Sequence, residues 1–290
     1  VADRLSIPGF LVEPAVDDLD GVVDDMTPLA VPLPKADRIW VIGNGPGLRA
    51  EDLTALHERG EICVGMNRIH LVYDRTPWRP HAYFLGDTRG NMAWAQDVLF
   101  HAAQGYRCFI KNLILGGMTP YCDHATGSWT DEAWAENVVP LAECRHDYLD
   151  LRPPRRWHAP YLCCFAGSMN VALQAAVLSK RKHVILLGVD HSWQVRDRAG
   201  TADPNHFDPR YDGGLEHGEL NGQSISHSQA FVVVSERAIE KNEAEAVYLH
   251  RLAAREAAAR GVLIINASRE TRLSTYPRAD FEELVHDDAV

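Results

Sequence analysis

Apolar positions along this chain fall into short runs that stop at glycine or a polar residue, separated by stretches with helical spacing. Arg38–Gly43 reads RIWVIG, a β-branched run closed by glycine, and Leu48, Leu53 and Leu56 then resume at helical intervals. Glu61–Met66 (EICVGM) predicts a second strand ending at Asn67, and His81–Gly86 (HAYFLG) a third ending at Asp87. Tyr106–Ile110 (YRCFI) predicts a fourth. Ser168–Lys180 predicts a helix opened by Gly167, with Val171, Leu173, Ala176, Val177 and Leu178 as its apolar set. His183–Gly188 (HVILLG) is the most continuous apolar run, as expected of a strand buried on both faces of a parallel sheet, and it leads into Val189-Asp190-His191. Ser235–Arg260, rich in Ala, Glu and Arg, predicts a long helix; Gly261 stops it before a last strand, Val262–Asn266. Strands alternating with helices predict an α/β fold, a Rossmann-like and mostly parallel sheet with helices on both faces.

Three stretches break the rhythm. Residues 1–36 carry six acidic residues from Glu13 to Asp25 and then prolines at 28, 32 and 34, so they read as an extended acidic lead-in. Residues 37–290 then form one catalytic domain, with an irregular insert at about 116–160 where Gly, Pro, Trp and charge are mixed. Residues 194–227 read as a long polar loop over a site.

Composition narrows the function. A net charge of −11 gives no overall field to attract phosphate backbones or anionic lipid, which argues against nucleic-acid binding as the main activity. No apolar run approaches the ~20 residues that span a bilayer, and the first residues lack the pattern of a secretory signal. The cysteines at 63, 108, 122, 144, 163 and 164 show no zinc-type spacing. The expectation is a reduced, soluble, cytoplasmic protein; a homo-oligomer stays open.

In such sheets ligands sit beyond the carboxyl ends of the strands. Those ends carry Asn44 and Gly45, Asn67, Asp87, Asp190 with His191, and Asn266, although Asn or Asp there also caps helices. The turn Gly43-Asn44-Gly45-Pro46-Gly47-Leu48 lets backbone approach a ligand, but it is neither a Walker loop nor GxGxxG. In Asp203–Asp212 (DPNHFDPRYD), His206 is the preferred general base because imidazole titrates near neutral pH; His191 competes for the role. Arg210 is suited to neutralising phosphate oxygens and Tyr211 to donating to a leaving group. A metal set of His206, Asp208, Asp212 and His217 matches no standard spacing, so no metal is expected. Arg152, Arg155 and Arg156 form one compact basic cluster, read first as a solvated charge run. Trp129, Trp134, Trp157 and Trp193 are read first as packing residues.

Taken together, VIGNGPGL, GMNRIHLVYD, LLGVDHSW, DPNHFDPRY and INASRETRLSTYPRADFEEL resemble one family, which contains the Maf flagellin glycosyltransferases and MptE-like pterin diphosphokinases. More distantly the chain is similar to the bacterial sialyltransferases of glycosyltransferase family 42. That likeness implies a modified Rossmann fold and transfer from a nucleotide-activated sugar, a CMP-nonulosonate, to a hydroxyl on a protein or glycan, without a metal cofactor. It places Asn44 and the Gly45–Gly47 turn, Pro46 included, by the nucleotide phosphate and ribose, with Asn67, Gly167-Ser168 and Asp190 as further nucleotide contacts. Asp87 stands near a second family asparagine, and His206 lies in the loop that supplies the catalytic histidine. The pterin-kinase alternative implies Mg²⁺ held by Asp87 with Asp190, and a non-catalytic nucleotide-binding protein is the third reading.

Overall fold

The computed structural model describes residues 36–85, 107–111, 138–141, 157, 167–179, 181–195, 203–209, 211, 218–220, 223–225 and 235–286. The acidic lead-in, apart from Ala36, and most of the 116–160 insert lie outside the described residues. The strands are β1 (Arg38–Ile42), β2 (Cys63–Met66), β3 (Ala82–Leu85), β4 (Arg107–Lys111), β5 (Val138–Leu141) and β6 (His183–Leu187). They are followed by β7 (Gly218–Leu220), β8 (Gln223–Ile225) and β9 (Leu263–Asn266). Seven of them form one parallel sheet in the order β5-β4-β3-β2-β1-β6-β9, while β7 and β8 pair antiparallel apart from it. The helices are α1 (Ala50–Glu58), α2 (Ser168–Leu178), α3 (Glu236–Ala258) and α4 (Phe281–His286), with a 3-10 turn at Ile69–Val72.

The expected α/β class is the class observed, and two local expectations need correcting. β5 lies inside the segment read as irregular: its VVPL carries Pro140, which lacks a ladder donor, and the strand is accommodated at the sheet edge. The 194–227 stretch is not all loop, because β7 and β8 pair within it; at three residues each, they are too short to show alternation in the sequence.

Period-two alternation sends successive side chains to opposite faces. Ile39, Val41, Val64, Met66, Phe84, Val184 and Leu186 pack with residues of α2 and α3. Trp40, Ile42, Cys63, Tyr83, Ile185 and Leu187 pack with α1, the 3-10 turn and α4. Val171 to Val177 of α2 are all buried, since the helix lies between β1–β3 on one side and α3 on the other. No helix among the described residues is long and apolar enough to cross a membrane.

The chain leaves β1 toward β2 in one direction and β6 toward β9 in the other, yet β1 and β6 are neighbours. Loops after such a pair diverge, which opens a crevice at their carboxyl ends. The two tips meet through glycine: the Gly43 N–H donates to Leu187 O at 2.8 Å, and the Gly45 N–H to Gly188 O at 2.8 Å. A Cβ on Gly43 would lie 2.4 Å from Gly188 O, and Gly188 itself holds φ +68°. Only glycine permits this approach.

Candidate functional site

Asp190 follows β6 directly and turns its carboxylate back onto the turn after β1. Its Oδ2 accepts the Gly47 N–H at 2.5 Å. A Cβ on Gly45 would meet that oxygen at 2.5 Å, and one on Gly47 at 3.0 Å. Leu48 N–H donates to Gly45 O at 3.1 Å, so the amides of Gly43, Gly45, Gly47 and Leu48 all have partners within the protein. A carboxylate therefore fills the space that the glycines were expected to offer a phosphate. Asp190 is 2% exposed, and its Oδ1 is buried without a partner. Burial pushes its carboxyl up to about 6; the Gly47 N–H opposes this, Glu270 adds to it and Arg278 offsets it.

Asn44 and Asn67 stand side by side at the ends of β1 and β2. Asn44 Nδ2 donates to Met66 O at 3.0 Å, which fixes the amide and leaves its Oδ1 buried without a partner. Asn67 holds φ 50°, a left-handed conformation that asparagine tolerates better than most residues, and its Oδ1 is likewise buried and unpartnered. Pro46 is exposed at the tip of the turn. α2 is joined to β6 by a short link and packs across β1–β3, so it runs opposite to the parallel strands. Its first residues, Gly167 (φ +85°) and buried Ser168, consequently sit at the same sheet end as the two asparagines. Helix N-termini favour anions.

Residues 203–209 and Tyr211 are fastened over this edge. Phe207 N–H donates to Asn44 O at 3.0 Å. Asp208, buried, pairs with Arg75 at 3.2 Å, and Arg68 Nη1 donates to Tyr211 O at 2.6 Å. Asn205 brackets Gln194, accepting its N–H at 2.6 Å and donating to its carbonyl at 3.0 Å. Within this segment His206 Nδ1 lies 2.7 Å from Asp203 Oδ2; the aspartate side chain is fully buried and that of the histidine is 19% exposed. The other Asp203 oxygen accepts the Asn205 N–H at 2.8 Å. A carboxylate only accepts, so in the neutral imidazole Nδ1 carries the proton and Nε2 the lone pair. Tyr211 stacks under the imidazole at 3.7 Å and 5°; its ring is 1% exposed, and its hydroxyl accepts the Arg68 N–H at 3.5 Å. Tyr211 is placed as a platform for His206.

His191 lies on the same edge in a left-handed conformation (φ 49°), and its Nε2 faces Nε2 of buried His250 at 2.9 Å. Burial pushes His191 down to about 4. Asn266 is bound into its own loop: its amide donates to Thr271 Oγ1 and Leu273 O at 3.3 Å each, and its Oδ1 accepts the Ser268 N–H at 3.0 Å. Trp157 is core, and half-buried Trp193 sets its ring edge-on to His191 at 6.4 Å. Asp87, Arg210, Asp212, His217, the three arginines at 152, 155 and 156, Trp129 and Trp134 lie outside the described residues. Among the described residues no group of three His, Cys, Asp or Glu side chains is arranged to hold a metal ion.

The structure thus gathers Asn44, Gly45, Gly47, Asn67, Asp190, His191, Gly167, Ser168, His206 and Tyr211 at one end of the sheet. Sequence pattern does not single out Asp203, Asn205, His250 or Tyr276. The one available signal is the three-residue spacing of Asp203 and His206 in a polar loop.

No protein-family description matches the chain, and no curated protein matches it. Among solved structures it is similar to a MAf glycosyltransferase from Magnetospirillum magneticum AMB-1, at 12% identity and a TM-score of 0.42. The match covers 85% of this chain and 34% of that one.

Proposed function

We propose that this chain is a glycosyltransferase that uses a nucleotide-activated sugar, a CMP-nonulosonate, and passes the sugar to a hydroxyl acceptor on a protein or glycan. The observation that carries this reading is the Asp203–His206 pair, oriented at 2.7 Å and tied by Phe207 to the turn that follows β1. His206 Nε2 takes the proton of the acceptor hydroxyl. The freed oxygen bonds to the anomeric carbon as the bond from that carbon to the CMP phosphate oxygen breaks, and CMP departs with the electron pair. A positioned base of this kind contributes about 10²–10⁴-fold.

The nucleotide then meets this edge through side chains. Asn44 Oδ1 and Asn67 Oδ1 accept from its hydroxyl or amino groups, and the start of α2 at Gly167-Ser168 faces the phosphate. Asp190 holds the glycine turn in shape. The proposed chemistry requires no metal.

A thermal-shift series with CMP, CDP, UDP, GDP and ATP, each with and without Mg²⁺, tests the reading. A ligand at about 100 times its dissociation constant adds about 2.7 kcal/mol. CMP should raise the melting temperature by several degrees without Mg²⁺. A response to ATP with Mg²⁺ alone would instead fit a diphosphokinase and overturn the proposal.

A further inference from the structure

Three groups form a hydrogen-bonded chain that the proposed transfer step does not use: His191 after β6, His250 within α3, and Tyr276 in the segment before α4. His191 Nε2 and His250 Nε2 are 2.9 Å apart, and His250 Nδ1 is 2.9 Å from the Tyr276 hydroxyl. That hydroxyl also lies 3.2 Å from the His250 carbonyl oxygen, to which it donates. His250 is fully buried and Tyr276 is 5% exposed.

We propose that His250 and Tyr276 are positioning residues that lock His191 as its Nε2–H tautomer, leaving Nδ1 at the sheet edge as a bare acceptor for a hydroxyl or amine. Each neutral group contributes one proton to three contacts. If Tyr276 donates to the His250 carbonyl, His250 Nδ1–H donates to Tyr276 and His191 Nε2–H donates to His250 Nε2, and all three contacts are made. Reversing the direction spends the tyrosine proton on His250 Nδ1 and leaves the carbonyl contact without one. Buried contacts without a proton are disfavoured, so the first arrangement prevails. Burial keeps both rings neutral, with His191 held down at about 4 and His250 well below its ordinary value.

The chain is closed at its inner end, because a backbone carbonyl cannot pass a proton on; it sets a tautomer and conducts nothing. Its outer end is open: among the described residues His191 Nδ1 has neither a hydrogen-bond partner nor a buried position. His191 follows Asp190, which grips the glycine turn, and precedes Gln194, which Asn205 of the His206 segment holds. The inference does not depend on the donor sugar or on His206 being a base.

Long-range ¹H–¹⁵N spectra of the full chain labelled with ¹⁵N-histidine read it directly, with His191→Gln providing the assignment. The expected spectrum at pH 7 shows His191 with a pyrrole-like Nε2 and a pyridine-like Nδ1, and His250 with the reverse. Tyr276→Phe should collapse the His191 signals toward a tautomeric average. A wild-type His191 carrying its proton on Nδ1, or an unchanged His191 in folded Tyr276→Phe, overturns the proposal. Should that variant not fold, the wild-type spectrum alone decides.

Discussion

Replacing Asp190 with asparagine should remove a pH dependence from the stability of the fold. The carboxylate is 2% exposed, has one hydrogen bond from Gly47, and carries a second oxygen with no partner. Burial raises its folded value from 3.8 to about 6. The native chain therefore holds this proton across a range in which the unfolded chain has already released it. Its contribution to stability is complete below the unfolded value and is lost as pH rises through about 6. At about 1.4 kcal/mol per pH unit, the difference amounts to about 3 kcal/mol. Asparagine keeps a carbonyl for the Gly47 N–H and does not titrate. His191 and His250, lowered by burial, act in the opposite sense: their stabilisation is present above the ordinary histidine value of 6.5 and is lost as pH falls. The wild-type curve is consequently a sum, and the difference between the two proteins isolates Asp190. Urea unfolding of both in steps across the acid-to-neutral range measures it. The asparagine variant should gain on wild type by about 3 kcal/mol from the bottom of that range to neutrality. A difference that stays flat would refute the claim that burial governs this carboxyl.

Further changes probe the rest of the edge. Gly43→Ala puts a Cβ 2.4 Å from Gly188 O, between two strands pinned by their ladder, and should destabilise by about 3 kcal/mol in the same assay; a loss below about 0.5 kcal/mol would mean that the tips yield freely. Asn266→Ala removes the amide that ties Thr271, Leu273 and Ser268 together and should cost about 1–3 kcal/mol in thermal unfolding, with no such loss expected if the loop stands without it. Asp203→Asn offers His206 a donor in place of an acceptor, which moves the imidazole proton to Nε2. The proposed sugar transfer should then fall by about 10²–10⁴-fold in kcat with KM little changed, and undiminished kcat would remove Asp203 from its orienting role.

Much of the architecture is legible because buried parallel strands must be apolar throughout: β1 and β6 stand out as β-branched runs, and the residues just beyond them, Asn44 and Asp190, can be read as edge residues. β5 is obscured by its proline and the β7–β8 pair by its short strands. The glycine turn illustrates a subtler limit. Its pattern correctly demands close approach, but the group that approaches is the protein's own Asp190, 143 positions away. The 203–212 stretch is recognisably rich in chemistry, yet spacing does not say which aspartate serves His206; Asp203 does, while Asp208 goes to Arg75. His250 resembles an interruption in the buried face of α3 beside Leu249, Leu252 and Ala253, and its partner 59 positions earlier leaves no local trace.

The proposed function rests on His206 as the base of a sugar transfer from a CMP donor. Its most direct measurement compares wild type and His206→Ala for CMP affinity by calorimetry and for CMP release from a CMP-nonulosonate in the presence of a chelator. Equal affinity, with turnover present in the wild type and lost in the variant, is the predicted result. Release that persists in the variant, or that stops in both proteins when the chelator is added, would contradict it.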